Sequence, residues 1–589
     1  MAAWIFIQTP FGQNWIARQV TNKLSKNLHT KVSVKHVDFS LFNRMRLEGL
    51  MIEDRQGDTI LYAGDAKVRI TDWFFFKKNV TLKYIGLENA LVKFQRTDSV
   101  WQQQFLFDYL GGSNTSNKNS AKGGMQLNLK KVELKNITFL KKDAWLGNDM
   151  TIRMGSMSLN AKEINLANKK ADISELLVDQ PFVMIYNYNK SKPPSTESKT
   201  LSPKIIDTLL QWNRGGWWVH LDKLKLTNGV FKNEKQSSQP PLAHFDGRHI
   251  EFNNINTELT NVIWNKDTIT ASLSLNTKER SGLEVKQMKA DAKFTPQEMA
   301  FDNLDIETNR STIRNSFRMS YKEMDDLDDF LHAVKLQGNF ESSQINSDDI
   351  AFFAPALKQW KKVFQLSGNV QGTIDALKGS NMNVKTGMGT LLVGDISLTG
   401  LPDINETFID LKANDLRTTY GDALSVIPAL RRISNPDFRK LQYLNFNGNF
   451  TGFIRDFVTF GTIQTNLGTL HTDLNMKFPG GKEPVYSGTI ASKNFNLGAL
   501  LENKQLGATS FNLKVLGSGF STQKRNTNID GNIGFVDSNG YRYHNLKAKG
   551  NLDKNVFAGI ASIDDPNVAL QDINGEIDFN EDIPVYKLK

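Results

Sequence analysis

The chain has 589 residues, well beyond the ~100–200 of one ordinary domain, and contains 42 glycines and no cysteine. Without cysteine, disulfides, cysteine-ligated metals and thiol nucleophiles are excluded, an absence that also suits an oxidising compartment such as a bacterial periplasm. Hydrophobic residues make up 39%, and with glycine added the content is that of a globular chain, so disorder by composition is excluded. The net charge of +10 is carried by scattered pairs such as Lys77–Lys78, Lys130–Lys131, Lys141–Lys142 and Lys169–Lys170. That pattern suits solvated strand surfaces that resist edge pairing, or attraction to an anionic membrane. It speaks against nucleic acid, because the aromatics fall on apolar positions and are not interleaved with arginine.

The first eight residues, MAAWIFIQ, are apolar but stop at Thr9-Pro10. They are too short to cross a bilayer and lack the basic start of a signal peptide. They read as a greasy tip or as the stub of a trimmed membrane anchor. Residues 9–29 follow as an amphipathic helix, with Phe11, Trp15, Ile16, Val20, Leu24 and Leu28 recurring about every fourth position and Arg18, Lys23 and Lys26 elsewhere. Such a helix caps a sheet or lies at a membrane surface, and the two roles are compatible.

From residue 30 onward the pattern is that of strands. A short motif, Leu-x-Asn/Asp-x-x-apolar, occurs as LENALV (87–92), LKNITF (134–139), LVDQPF (177–182) and LTNGVF (226–231), with LEGLMI (47–52) as a looser copy. The starts are 40, 47, 43 and 49 residues apart, which predicts a stack of repeated strand units, each broken at its Asn or Asp. Further on, alternation of apolar and polar residues predicts half-buried strands. It appears at Ile269–Leu275, Met288–Phe294, Phe364–Ile374, Leu444–Ile454, Leu470–Phe478, Ile529–Phe535, Leu546–Leu552 and Phe557–Ile563. Several of these faces interrupt Phe and Leu with glycine, as in LNFNGNFTGFI (444–454). Helices are predicted only at 203–212, 321–334, 347–360 and 421–433, with flexible loops at 111–124 and 189–199.

The expected fold is therefore mainly β: a long, twisted antiparallel sheet curled into an open groove, with a few short helices. Residues 30–346 form its repeat-built first part and 347–589 its continuation. Leu366, Val370, Ile374, Leu444, Phe446, Phe450, Leu474, Met476 and Phe478 are expected to line the groove, or else to pack on their neighbours in a closed core. Glycine on that face would relieve crowding where the sheet curves.

No catalytic constellation stands out. Among eight histidines the nearest pair is His244 and His249, whose spacing fits no common metal site. The acidic run at 325–329 lacks the glycine and terminal glutamate of a calcium loop, and neither a phosphate loop nor a nucleophile elbow occurs. An enzyme is not expected, nor a cofactor or metal.

Residues 9–70 resemble the start of AsmA-like proteins, and more closely the TamB-like (translocation and assembly module) members of Bacteroidetes-type bacteria. The resemblance is carried by VSVKHVDF (32–39) and LEGLMIEDRQGDTILYA (47–63), and again by SDDIAFFAPALKQW (347–360) and NFNLGALLENKQLGATSFNLKVLGSGF (494–520). It implies a single-pass anchor in the bacterial inner membrane, a periplasmic β-taco and a greasy groove carrying phospholipid between membranes. It also implies a role in outer-membrane protein insertion with a BamA-family barrel as partner. The short anchor and the end at Lys589 make the chain look like a fragment of such a protein. A passive lipid conduit is thus the leading expectation. A scaffold or chaperone that accepts outer-membrane strands by β-augmentation is the alternative, and a glycan-binding repeat sheet fits the opening residues less well.

Overall fold

In a computed structural model, the described residues are 6, 9–40, 44–70, 81–106, 126–165, 168–191, 212–426, 431, 436–580 and 585–588. They are mainly β, with 30 strands. The chain divides into two compact units, Met1–Asn309 with Lys322–Met324, and Arg310–Tyr321 with Asp325–Lys589.

The first unit opens with helix α1 (Pro10–Leu28). Thr9 caps it, its hydroxyl accepting the Gly12 N–H at 3.1 Å; Pro10 occupies the first turn and His29 ends it in the left-handed region. Strands β1 (Val32–Ser33), β2 (His36–Ser40), β3 (Arg44–Glu53), β4 (Thr59–Ile70), β5 (Thr81–Arg96), β6 (Gln126–Asp143) and β7 (Asn148–Asn165) follow. Then come β8 (Lys170–Asp179), β9 (Phe182–Asn187), β10 (Trp218–Lys235), β11 (His249–Asn265), β12 (Thr268–Glu279), β13 (Glu284–Thr295) and β14 (Glu298–Thr308). Both β1 and β2 pair with β3, and β8 and β9 lie end to end between β7 and β10.

This sheet corrects the all-antiparallel expectation. Strands β5 and β6 run parallel, and β10 runs parallel to β8 and β9. A parallel pair needs a crossover of a dozen or more residues. The two connections concerned, 97–125 and 188–217, contain the two low-complexity stretches of the sequence, both of which lie largely outside the described residues.

The repeated motif has a structural meaning. In four of its five copies the third residue is left-handed inside a strand: Gly49, Asn89, Asn136 and Asn228. In LVDQPF the left-handed residue is Gln180, one place later. The registers align these positions. Gly64 faces Gly49 and Asn89, and Asn136 lies beside Asn89, donating its side-chain amide to the Asn89 oxygen at 3.0 Å. At each kink the in–out phase slips by one. Ile85 and Leu87 precede Asn89 on the apolar side, and Ala90 and Val92 follow it there. Asparagine tolerates this conformation because its short amide bonds locally. The slip keeps one face apolar, where Ala63, Ala66, Ala90 and Ile137 are buried among Leu47, Leu50, Leu87, Leu134 and Met154.

The second unit contains β15 (Thr312–Ser320), β16 (Lys335–Asn346), β17 (Val363–Gly372), β18 (Ala376–Thr386), β19 (Thr390–Thr399), β20 (Phe408–Thr419), β21 (Tyr443–Phe453) and β22 (Asp456–Thr465). It continues with β23 (Gly468–Lys477), β24 (Val485–Asn496), β25 (Leu506–Ser518), β26 (Asn526–Ser538), β27 (Tyr541–Asp553), β28 (Val556–Asp565), β29 (Val568–Asp578) and β30 (Val585–Leu588). From β15 to β30 each strand pairs antiparallel with the next in sequence. Short helices α2 (Ser347–Ile350), α3 (Tyr420–Val426) and α4 (Leu497–Leu501) sit at strand ends.

Two helix expectations are corrected, one is met over its described residues and one cannot be placed. Residues 321–334 form only a 3-10 turn, Met324–Asp329, where four aspartates crowd one turn and Met324 and Leu331 stay exposed. Residues 347–360 split into α2 and a 3-10 turn at Pro355–Gln359, because Pro355 cannot continue a helix. The third, 421–433, is helical as Tyr420–Val426; residues 427–430 and 432–435 lie outside the described set, as do 203–211.

Candidate functional site

The second unit presents one sheet face free of charge across many strands. Its rows can be followed by register. One row runs Leu366, Val384, Leu392, Leu416, Phe446, Ile463, Leu470. Another runs Val370, Gly379, Ile396, Leu411, Phe450, Thr459, Leu474, Gly488, Val515, Ile529, Gly550, Gly559, Gly575. Between them lies a row of small residues, including Gly394, Ala413, Gly448, Gly461 and Thr472. At ~4.8 Å per strand, the first row alone extends about 29 Å.

The glycines answer to backbone proximity. A Cβ on Gly448 would stand 2.2 Å from the Phe460 carbonyl oxygen and 2.6 Å from the Gly461 Cα. A Cβ on Gly461 would meet the Asn447 oxygen at 2.4 Å. The Phe446 ring lies across this pair and is therefore buried, at 6% exposure. Around it, Leu411 and Ala413 are buried among Leu392, Ile396, Ile409, Leu416, Leu444, Phe450 and Ile463. Every member of that cluster comes from β19 to β22, four consecutive strands of the same sheet.

The expected lining residues are thus brought onto one face, but in different states. Leu366, Val370, Leu444, Phe450, Leu474 and Met476 are half-buried. Phe446 fills the sheet's own surface and fits the alternative of packing on neighbours. Ile374 and Phe478 lie just beyond the ends of β17 and β23. Phe478 belongs to an aromatic row at that strand end: Phe450 meets Phe457 at 4.6 Å, Phe457 meets Phe478 at 6.2 Å, Phe478 meets Phe520 at 6.3 Å, and Phe520 stacks on Tyr486 at 5.5 Å.

Sequence reasoning missed β18, β19 and β20, which supply Val384, Leu392, Ile396 and Leu411. Their alternation slips at bulges between Gly379 and Met382, between Val393 and Gly394, and between Ala413 and Leu416. The left-handed Asn381 beside the first of these is the local signal.

Of the apolar stripe expected on helix α1, Leu28 is buried against the strands while Phe11 and Trp15 stay exposed. Ala17 packs on Val37, with Val34, Met45 and Leu47 around it, and Gln13 and Leu28 are also buried. Phe11 is 74% and Trp15 51% exposed, because the strands cover only the side carrying Gln13 and Ala17. Phe6 lies 6.1 Å from Phe11 and 6.2 Å from Trp15. Leu24 is half-buried, and the side chains of Ile16 and Val20 lie outside the described set. Among the described residues no helix is long and apolar enough to cross a membrane.

On its polar face the first unit carries a cavity of about 570 Å³ across β4 to β10. Its charges are largely matched internally: Asp65 with Arg46 at 2.6 Å, Glu88 with Lys135 at 3.1 Å, Glu133 with Lys131 at 2.6 Å. Burial, and then the Glu133 carboxylate 2.7 Å away, push the Tyr84 phenol up to about 12. Among the described residues no three His, Asp or Glu converge as a metal would need. No family model, no curated protein and no solved structure matches this chain.

Proposed function

We propose that the apolar face of the second unit is the wall of an open groove that holds phospholipid acyl chains and lets them slide between the inner and outer membranes. The single observation behind this reading is the uncharged face from β17 to β29, half-exposed, with a row of small residues between rows of large ones. Covering an acyl chain there is worth roughly 0.8 kcal/mol per CH₂. Uniform lining offers no strong stopping point, so passive movement needs no covalent chemistry. In this reading the chain is an AsmA-like or TamB-like protein of the periplasm, tethered at its N-terminal end to the inner membrane. The exposed Phe6, Phe11 and Trp15 suit contact with a membrane interface.

The test is to purify the chain, extract it and look for phospholipid by mass spectrometry, with Phe450→Asp alongside. Phospholipid is expected in the wild type and, because a carboxylate in an apolar strip repels acyl chains, a reduction of about fivefold or more in the variant. Lipid absent from both would remove the proposal. Photocrosslinking of an edge strand to a nascent barrel strand would favour the scaffold reading instead.

A further inference from the structure

At one end of the strands, where β17 begins, β18 turns into β19 and β20 ends, lies a cavity of about 660 Å³. Lys361, Lys362, Lys385 and Arg417 line it, together with the turn Gly387-Met388-Gly389, and no carboxylate does. The nearby acids only partly offset these cations. Lys361 reaches Asp348 at 2.9 Å, an acid that Arg310 also contacts. Arg417 reaches Asp415 at 2.8 Å and stays exposed, and Lys362 lies 3.9 Å from Asp422. Among the described residues no carboxylate stands within ion-pair distance of Lys385.

The back of this cup already holds one oxyanion. The Asp422 carboxylate of α3 accepts the N–H of Gly389 at 2.9 Å, the N–H of Met388 at 3.1 Å and the hydroxyl of Thr390 at 3.1 Å. Gly387 is left-handed, and a Cβ there would stand 2.2 Å from that carboxylate. The turn is thus shaped around a carboxylate that takes its amide donors, with Lys362 no nearer than 3.9 Å. Lys361 and Arg417 line the cup while paired with Asp348 and Asp415, and Lys385 lines it with no carboxylate partner among the described residues. Lysines act as point charges and a guanidinium as a planar fork for oxyanions.

We propose that this cup binds a second oxyanion, a phosphate or phosphodiester group. The volume exceeds what inorganic phosphate needs and admits a phosphodiester with a glycerol-sized substituent. The row Gln365, Lys385, Leu391, Arg417 alternates with the apolar row Leu366, Val384, Leu392, Leu416, so these cations stand on the other side of the sheet from the apolar face, and the two sides meet only at the strand ends, where Thr386 lines the cup and pairs with Phe364. The phosphate could come from a lipid headgroup or from a free soluble ester. The inference does not rest on the conduit reading, since the cup would bind phosphate even if the apolar face carried nothing.

The experiment uses the full chain at low ionic strength, where such contacts are least screened. One arm titrates inorganic phosphate by calorimetry. The other sediments the protein with vesicles of phosphatidylglycerol or of phosphatidylcholine. The variant Lys385→Glu/Arg417→Glu is compared with Lys378→Glu/Lys412→Glu, which makes the same charge change on exposed residues of the same two strands. Lys385→Gln, on an exposed side chain, repeats the test should the double variant lose its circular-dichroism melt. The cup variant should weaken phosphate binding by about tenfold or more, with the control within about twofold. Cup-dependent sedimentation with phosphatidylglycerol points to a headgroup, and phosphate binding without it to a soluble ester. Equal losses in cup and control variants, or no phosphate binding and no cup-dependent sedimentation, would overturn the proposal.

Discussion

The two units keep an apolar sheet face by different means. In the first, about half of the buried apolar residues are alanines, among them Ala63, Ala66, Ala90, Ala171, Ala290, Ala292 and Ala300. Long strands there bend at left-handed Asn or Gly positions, and the phase slip returns the next apolar residue to the same side. In the second, the corresponding small positions are glycines, and the backbones approach until no Cβ fits, as between Gly448 and Gly461. Large residues flank that line and stay half-exposed, apart from Phe446 and Leu411. A sheet can therefore stay one-sided by kinking its strands or by thinning a row of side chains, and only the second route leaves Leu, Val and Phe facing outward in quantity.

The largest test of this contrast is Gly448→Val. Its Cβ must displace backbone, so the variant should lose about 3 kcal/mol locally, read as faster amide hydrogen exchange across 443–465. Protection equal to wild type would mean the close approach is not needed. An acid titration probes the first unit in the same way. Asp246 is buried, which by itself would raise its pKa. Bonds from the Arg248 N–H and side chain and from the Leu242 N–H outweigh burial and hold it at about 2. A depressed folded-state pKa gives stability that is full above the unfolded value near 4 and lost as pH falls toward 2. About 2 kcal/mol should therefore vanish across that window in the wild type, and Asp246→Asn should flatten the loss in a pH series of urea melts. The smallest effect is expected at the kink itself. Asn89→Ala forces alanine into a left-handed conformation and removes the bond from Asn136, costing about 1 kcal/mol, whereas Asn89→Gly should melt within about 0.5 kcal/mol of wild type. If both variants behave alike, the left-handed residue is not what sets the phase.

Much of this was legible from residue order. Strict alternation at 444–454 and 470–478 marked the face because apolar side chains on a strand share a side only at period two. The Asn motif marked the kinks because few side chains accept that backbone. What escaped had identifiable causes. A single inserted residue inverts the pattern, so β18 to β20 looked irregular although they complete the face. Strand direction leaves no trace in alternation, so the parallel pairs were hidden, although two long polar connections were there to permit them. The cup of lysines was invisible because Lys361, Lys385 and Arg417 are brought together only by three neighbouring hairpins.

The strictly sequential pairing from β15 to β30 bears on how such a molecule is made and altered. Each new strand docks on the one synthesised just before it, so chain closure spans only a short stretch and ordering can keep pace with translation. Evolution could likewise lengthen or shorten the array by whole hairpins, since adding one leaves every earlier register intact.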